Sequence, residues 1–246
     1  MEPTIGIVAM FDVLGFSDLR KRLGVNQLKA HYHNLVVKQL DIAVRRLGKE
    51  YNEIFPDDLS GNGVKLSFFS DTIIIYSKNS NPFDCLIISS LCEDVLVEAF
   101  ENSTPLRGAL VAGELLVDGN ILIGESIERA YQLEQEQVWS GVAVDESFFN
   151  NTYKHIQEIG RALKKHDKGI ENIRLPKIIE YDLPIQIKHE EVRTYTTRKS
   201  DVIDWTSRSK WGTAAKAFMP SDNPHVKKII KNTVDFEAYG KALANK

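Results

Sequence analysis

The stretch VKLSFFSDTIIIYS, Val64 to Ser77, sets Ser70-Asp71 between two apolar halves rich in β-branched and aromatic residues. That pattern predicts a β-hairpin with Asp71 at or beside its turn. Upstream, IGIVAMF (Ile5 to Phe11) is a nearly unbroken apolar run ending at Asp12, which reads as a buried strand delivering an acid at its C-terminal tip. Between the two, Leu28, Tyr32, Leu35, Val36, Leu40, Ala43, Val44 and Leu47 recur at three- and four-residue steps, an amphipathic helix. Downstream, Phe83 to Phe100 repeats the helical period and Pro105 resets the chain before a strand-like Leu106 to Leu116. Asp118-Gly119-Asn120 then turns it into Ile121-Leu122-Ile123, and Gly124 opens a further helix. Strand, helix, hairpin, helix, hairpin, helix is the order of an α+β domain, a mostly antiparallel sheet flanked by helices.

Past Ser140 the pattern predicts a helix from Tyr153 to Lys165, strands at Lys177 to Ile187 and Val192 to Thr197, and a last helix from His225 to Leu243. We divide the chain into a main domain, residues 1–200, and a C-terminal extension, 201–246, packed on it. Its 246 residues, 43% hydrophobic, suffice for one well-buried core. The 31 basic and 34 acidic side chains nearly balance, so no global field draws the chain to nucleic acid or to an anionic membrane. No apolar run approaches the roughly 20 residues of a membrane span, and the N-terminus has no secretory pattern. Cys85 and Cys92 have no metal-site spacing and are expected inside a helix core in a reducing cytoplasm.

Asp12 at a strand end and Asp71 at a hairpin turn form the kind of carboxylate pair that holds two divalent ions for phosphoryl transfer. The loop after Asp12, Val13-Leu14-Gly15-Phe16-Ser17, precedes a helix start, so its N–H groups can cradle phosphates. Taken singly, each Asp is more often a turn or capping residue than a ligand.

Four blocks in order change the balance: Phe11-Asp12-Val13-Leu14-Gly15-Phe16-Ser17; Phe69-Ser70-Asp71; Leu106-Arg107-Gly108-Ala109 with Gly113; and Gly124 to Glu134. Together they resemble the motifs of class III adenylyl/guanylyl cyclases over about the first 145 residues. The resemblance implies a ferredoxin-like core and two Mn²⁺ or Mg²⁺ ions on Asp12, Asp71 and the Val13 carbonyl. It also implies triphosphate contacts from Leu14, Gly15, Phe16 and Arg107, and a homodimer with composite active sites. Where that family reads a purine with a Lys or Glu and a polar partner, this chain has Ser67 and Ile121. A site without those hydrogen-bonding partners cannot tell adenine from guanine, which points away from purines. Tyr51 is a further candidate for contacting the base. The family's transition-state Asn and Arg fall on Glu128 and Gln132, four apart on one helix face.

Short chains with this motif set resemble the pyrimidine cyclases of Pycsar anti-phage defence systems. That implies conversion of UTP or CTP to the 3′,5′-cyclic nucleotide, with a separate effector sensing the product. The alternatives are a purine cyclase, a cyclase-fold nucleotide sensor without catalysis, and an interaction domain whose acidic turns are accidental. Arg208, Lys210 and Lys216, around Trp205 and Trp211, are candidates for a phosphate-binding cation, against a reading as a solvated segment over the core.

Overall fold

The computed structural model describes residues 2–54, 63–149, 156–157, 175–189 and 192–244. Its strands are β1 (Thr4–Val13), β2 (Lys65–Phe69), β3 (Thr72–Ser77), β4 (Leu106–Asp118), β5 (Ile121–Ile123), β6 (Gly141–Val144), β7 (Ile178–His189) and β8 (Val192–Ile203). They form one sheet in the order β2-β3-β1-β4-β6-β8-β7, with β5 paired to β4. Every pairing is antiparallel except β4 with β6. β1 and β2 both run antiparallel to β3, which lies between them; β3 and β4 likewise enclose β1. These are two interleaved split βαβ units, the ferredoxin-like core. The α+β class with a mostly antiparallel sheet is the one expected.

Helix α1 (Phe16–Tyr32) continues through a π-helical turn, His33–Val37, into α2 (Lys38–Ile54). The apolar period begins only at Leu28 because Gly24, at φ 70° and ψ 168°, kinks the helix and Leu19 is the only residue buried before it. α3 (Pro82–Glu101) starts at an Asn81 cap whose side chain accepts from the Asp84 N–H, with Pro82 in the first turn. Cys85 and Cys92 are fully buried within it and form no disulfide. α4 (Glu125–Glu136) and the short α5 (Glu146–Phe148) follow. Apart from residues 156–157, the expected helix from Tyr153 to Lys165 lies outside the described residues.

Alternation along the strands separates two cores. Ile7, Ala9, Phe11 and Val13 of β1 join the larger one, with α3 and the C-terminal helices. Val8 and Met10 join Ala109, Val111, Leu115 and Ala130 in the smaller one, where α4 lies over β4 and β1.

Val202, Ile203, Trp205, Ala214, Ala217 and Phe236 belong to the larger core. The expected boundary at 200 falls inside β8, and α6 (Thr213–Ala217) and α7 (Pro224–Ala244) close the chain. Trp205 is fully buried and stacks on Phe100 at 4.0 Å. Phe236 of α7 meets the edge of Trp139 at 4.7 Å, and the Ser140 N–H donates to Thr233 Oγ1 at 2.9 Å. This corrects the reading of the Trp205 segment as merely solvated, although Trp211 is exposed. Arg208 pairs with Glu93 and Asp94 of α3, so it is held in structure rather than open to phosphate. Among the described residues no helix is long and apolar enough to cross a membrane.

A Cβ at Gly240 would lie 2.1 Å from Thr206 Oγ1, whose hydroxyl is bonded to buried Asp204. Gly240→Ala is therefore expected to destabilise the protein by about 1–3 kcal/mol, seen as a lower urea midpoint with an unchanged slope.

Candidate metal and phosphate site

Strand register brings the chemistry together. β1 is paired on both sides, so Asp12 stands opposite Thr72 of β3 and Arg107 of β4. Asp12 and Arg107 alternate with Met10 and Ala109, which places both on the α4 side of the sheet. Ser67, paired with Ile74, faces the same way. Phe69 pairs directly with Thr72, leaving Ser70 and Asp71 as a two-residue turn. The Val13 N–H donates to the Asp71 carbonyl at 3.1 Å, which fastens this turn to the end of β1.

The next residues form a backbone loop. The Leu14 N–H is bonded to the Pro105 carbonyl at 3.0 Å, and the Gly15 carbonyl receives the N–H groups of Asp18 and Leu19, opening α1. Gly15 sits at φ 76° with open space where a Cβ would be. Only glycine adopts that conformation without strain. The first-turn N–H groups of α1, at the positive end of its dipole, thus begin beside Asp12. Leu14, Gly15 and Arg107 also line a cavity of about 370 Å³ that continues under α1 towards Phe218 and Ile229.

Arg107 is 7% exposed. Its Nε is bonded to Glu134, its Nη1 donates to the Gln137 carbonyl at 3.0 Å, and its Nη2 lies 3.7 Å from Asp12 Oδ2. The resemblance implies a triphosphate contact for Arg107; in the structure its partners are the buried Glu134, a carbonyl and Asp12. Glu134 is the residue that reading missed, and a signal was present. Ser126, Ala130 and Glu134 form the buried i, i+4, i+8 stripe of α4, so an acid there must find a cation.

Burial raises the Asp12 carboxyl to about 6; Glu134 and Asp71 push the same way, and Arg107 opposes them. Asp12 and Glu134 thus share one guanidinium while Asp71 adds its charge beside Asp12, leaving an excess of negative charge that a divalent cation would complement. Among the described residues no group of three His, Cys, Asp or Glu side chains is arranged around a metal position. Two carboxylates fit Mg²⁺ or Mn²⁺ nonetheless, because such hard ions keep waters and take their remaining oxygens from substrate phosphates. The Tyr32 phenol, from the other side of the sheet, is also pushed up, by burial and then by Asp71 and Asp12.

The remaining candidates are more dispersed. Ile121 is 56% exposed at the start of β5. Glu128 and Gln132 are exposed on α4, and Gln132 borders a separate cavity of about 570 Å³ with Arg129, Asp145 and Arg198. Tyr51 falls within α2, and its side chain lies outside the described residues. Lys210, Trp211 and Lys216 are exposed beside α6.

The raised Asp12 carboxyl has a definite sign. Its folded value, about 6, lies above the ordinary 3.8, so its contribution favours folding below 3.8 and is lost as pH rises through 6. Asp12→Asn should therefore stabilise the metal-free protein above pH 6 by about 1–2 kcal/mol after allowance for partial exposure. The gain in Tm should vanish near pH 4, and Mn²⁺ should raise the Tm of the wild type more than that of the variant.

No family model matches the chain, and no curated protein is a significant match to it. Solved structures of similar form include a bacterial light-regulated adenylyl cyclase, 14% identical over 83% of this chain and 92% of that one, with a TM-score of 0.40. The adenylyl cyclase CyaB from P. aeruginosa is 13% identical, with 83% and 97% covered and a TM-score of 0.40. An adenylate/guanylate cyclase/hydrolase from Silicibacter pomeroyi is 12% identical, with 82% and 98% covered and a TM-score of 0.43. What the site of this chain can do follows from its own residues.

Proposed function

We propose that the chain is a metal-dependent nucleotide cyclase that converts UTP or CTP to the 3′,5′-cyclic nucleotide and pyrophosphate. The observation that carries this reading is the joining of Asp12 and Asp71 by the Val13–Asp71 backbone bond, beside a helix N-terminus reached through a left-handed Gly15. Carboxylates for cations and N–H groups for phosphate meet there.

In this reading Asp12 and Asp71 hold two Mn²⁺ or Mg²⁺ ions, with the Val13 carbonyl as a further oxygen. Bound ions would neutralise the triphosphate and make the ribose 3′-OH more acidic. With the Leu14 N–H engaged by Pro105, the backbone at Gly15 and Phe16 would hold the terminal phosphates so that the 3′-OH faces the α-phosphorus in line with departing pyrophosphate. Arg107 acts on this geometry through Asp12, since Glu134 and the Gln137 carbonyl fix its guanidinium. Ser67, on the same face as Asp12, offers a small hydroxyl, and Ile121 an apolar side chain, for a base. Neither replaces the charged and polar groups that a purine edge would require.

The same face of the sheet supports a homodimer. α4 covers β4 and β1, while Phe69 on the β2–β3 half is 79% exposed and Ile74 and Tyr76 are only partly buried. A second copy laid there would complete the cover and bring its own α4, with Glu128 and Gln132, towards Asp12 and Asp71. We further propose that the cyclic product acts through a separate effector in anti-phage defence, in the cytoplasm and without a nucleic-acid or membrane partner. A nucleotide sensor without catalysis is the second reading, favoured by the neutral Gln132 and acidic Glu128 where the transition state needs cationic donors.

Incubation with ATP, GTP, CTP and UTP separately in Mn²⁺, followed by mass spectrometry, is expected to give a cyclic pyrimidine product, reduced by about 100-fold or more in Asp71→Ala. A purine product would overturn the base assignment, and nucleotide-dependent thermal stabilisation without product would leave the sensor. Phe69→Glu, exposed in the single chain, should reduce the light-scattering mass from two chains to one without lowering the Tm of the monomer; a wild type that is already one chain would refute the dimer.

A further inference from the structure

The turn carrying Asp71 is supported from the neighbouring strand and from one face of the sheet. Ser70 holds a φ of 57°, a left-handed conformation that a side chain other than glycine disfavours. Such conformations persist where surrounding contacts impose them. Two contacts do so here. One is the Val13 N–H on the Asp71 carbonyl, from β1. The other is the Tyr32 hydroxyl, which donates to the Ser70 carbonyl at 3.1 Å across 38 residues of sequence. Tyr32 closes α1 immediately before the π-helical turn, packs against the larger core and stacks its ring on Phe68 at 5.8 Å. Phe68 precedes Ser70 by two residues, so ring and hydroxyl hold the same hairpin end.

We infer that Tyr32 is a positioning residue for Asp71: its hydroxyl fixes the Ser70 peptide and thereby sets the direction in which the Asp71 carboxylate is presented beside Asp12. The inference rests on the reading of Asp71 as a metal carboxylate and extends it to a residue on the opposite face of the sheet. Without the hydroxyl, the Ser70–Asp71 peptide relaxes from its left-handed conformation for part of the time. Only the fraction of chains with both carboxylates aligned then binds the ion, and apparent affinity falls by that fraction.

Tyr32→Phe removes the hydroxyl and keeps the stacked ring, so the fold is retained. The probe is Mn²⁺ alone, followed by loss of the free-ion electron paramagnetic resonance signal, with Asp71→Ala in parallel. Tyr32→Phe is expected to weaken Mn²⁺ binding about fivefold, the loss of one hydrogen bond, with Tm in EDTA within about 2 °C of the wild type. In the cyclisation assay the Mn²⁺ concentration for half-maximal rate should rise by the same factor, while the rate at saturating Mn²⁺ stays within about twofold. Unchanged Mn²⁺ affinity in Tyr32→Phe, with binding weakened in Asp71→Ala, would overturn the positioning role and leave the metal site standing. Unchanged binding in both variants would overturn the metal site and the inference together. A fall in Tm without a change in affinity would make the hydroxyl a purely structural contact.

Discussion

The register of β1 between β3 and β4 is the constraint on which everything else depends. Because side chains alternate, a slip of one residue in either pairing would turn Asp12 into the larger core and Phe11 towards α4. The correct register is enforced by burial: Ile7, Ala9 and Phe11 are fully buried on one side, and Val8 and Met10 are buried on the other. The strand therefore ends with one acid that has nowhere apolar to go, beside a turn that offers another. The chemistry at the sheet's end is a by-product of how tightly its middle is packed.

Around that strand end, charges are arranged against their own solvation. Arg107 and Glu134 are both nearly inaccessible and engaged with each other, so the guanidinium offers Asp12 only a longer contact of 3.7 Å. An isolated buried pair of this kind adds little to stability, and deleting one partner exposes the full cost of the other. Its role is geometric: a planar guanidinium tied at two points cannot swing, and Asp12 is left incompletely neutralised. An acid kept in that condition favours a cation more than a solvent-exposed one does.

Much of this was legible in the sequence because the signals were local. The apolar run ending at Asp12, the Ser70-Asp71 break and the Asp118-Gly119-Asn120 turn each fixed an element within a few residues. The strand at 178–189 and the last helix also fell where the pattern put them, whereas the strand from Val192 runs on to Ile203, six residues past the expected Thr197. What could not be read was the pairing of distant groups. Nothing near Arg107 in sequence announces Glu134, nothing near Tyr32 announces Ser70, and Arg208 looked like a free cation until α3 supplied Glu93 and Asp94. The first turns of α1 are mostly exposed and carry no apolar period, so only the loop before them signalled where the helix starts.

The burial of the C-terminal segment gives the molecule a timetable. Arg208 meets Asp94 across 114 residues, and Thr233 meets Ser140 across 93, so the larger core is sealed by contacts that close very long loops. On a ribosome adding about 5–20 residues per second, the strands bearing Asp12 and Asp71 emerge several seconds before α7. During that interval Phe100 of α3 awaits Trp205 while the carboxylate end of the sheet is already encoded. Maturation of the site is thus tied to the synthesis of α7, and a chain that has not yet reached that helix holds the two acids before the larger core behind them is closed.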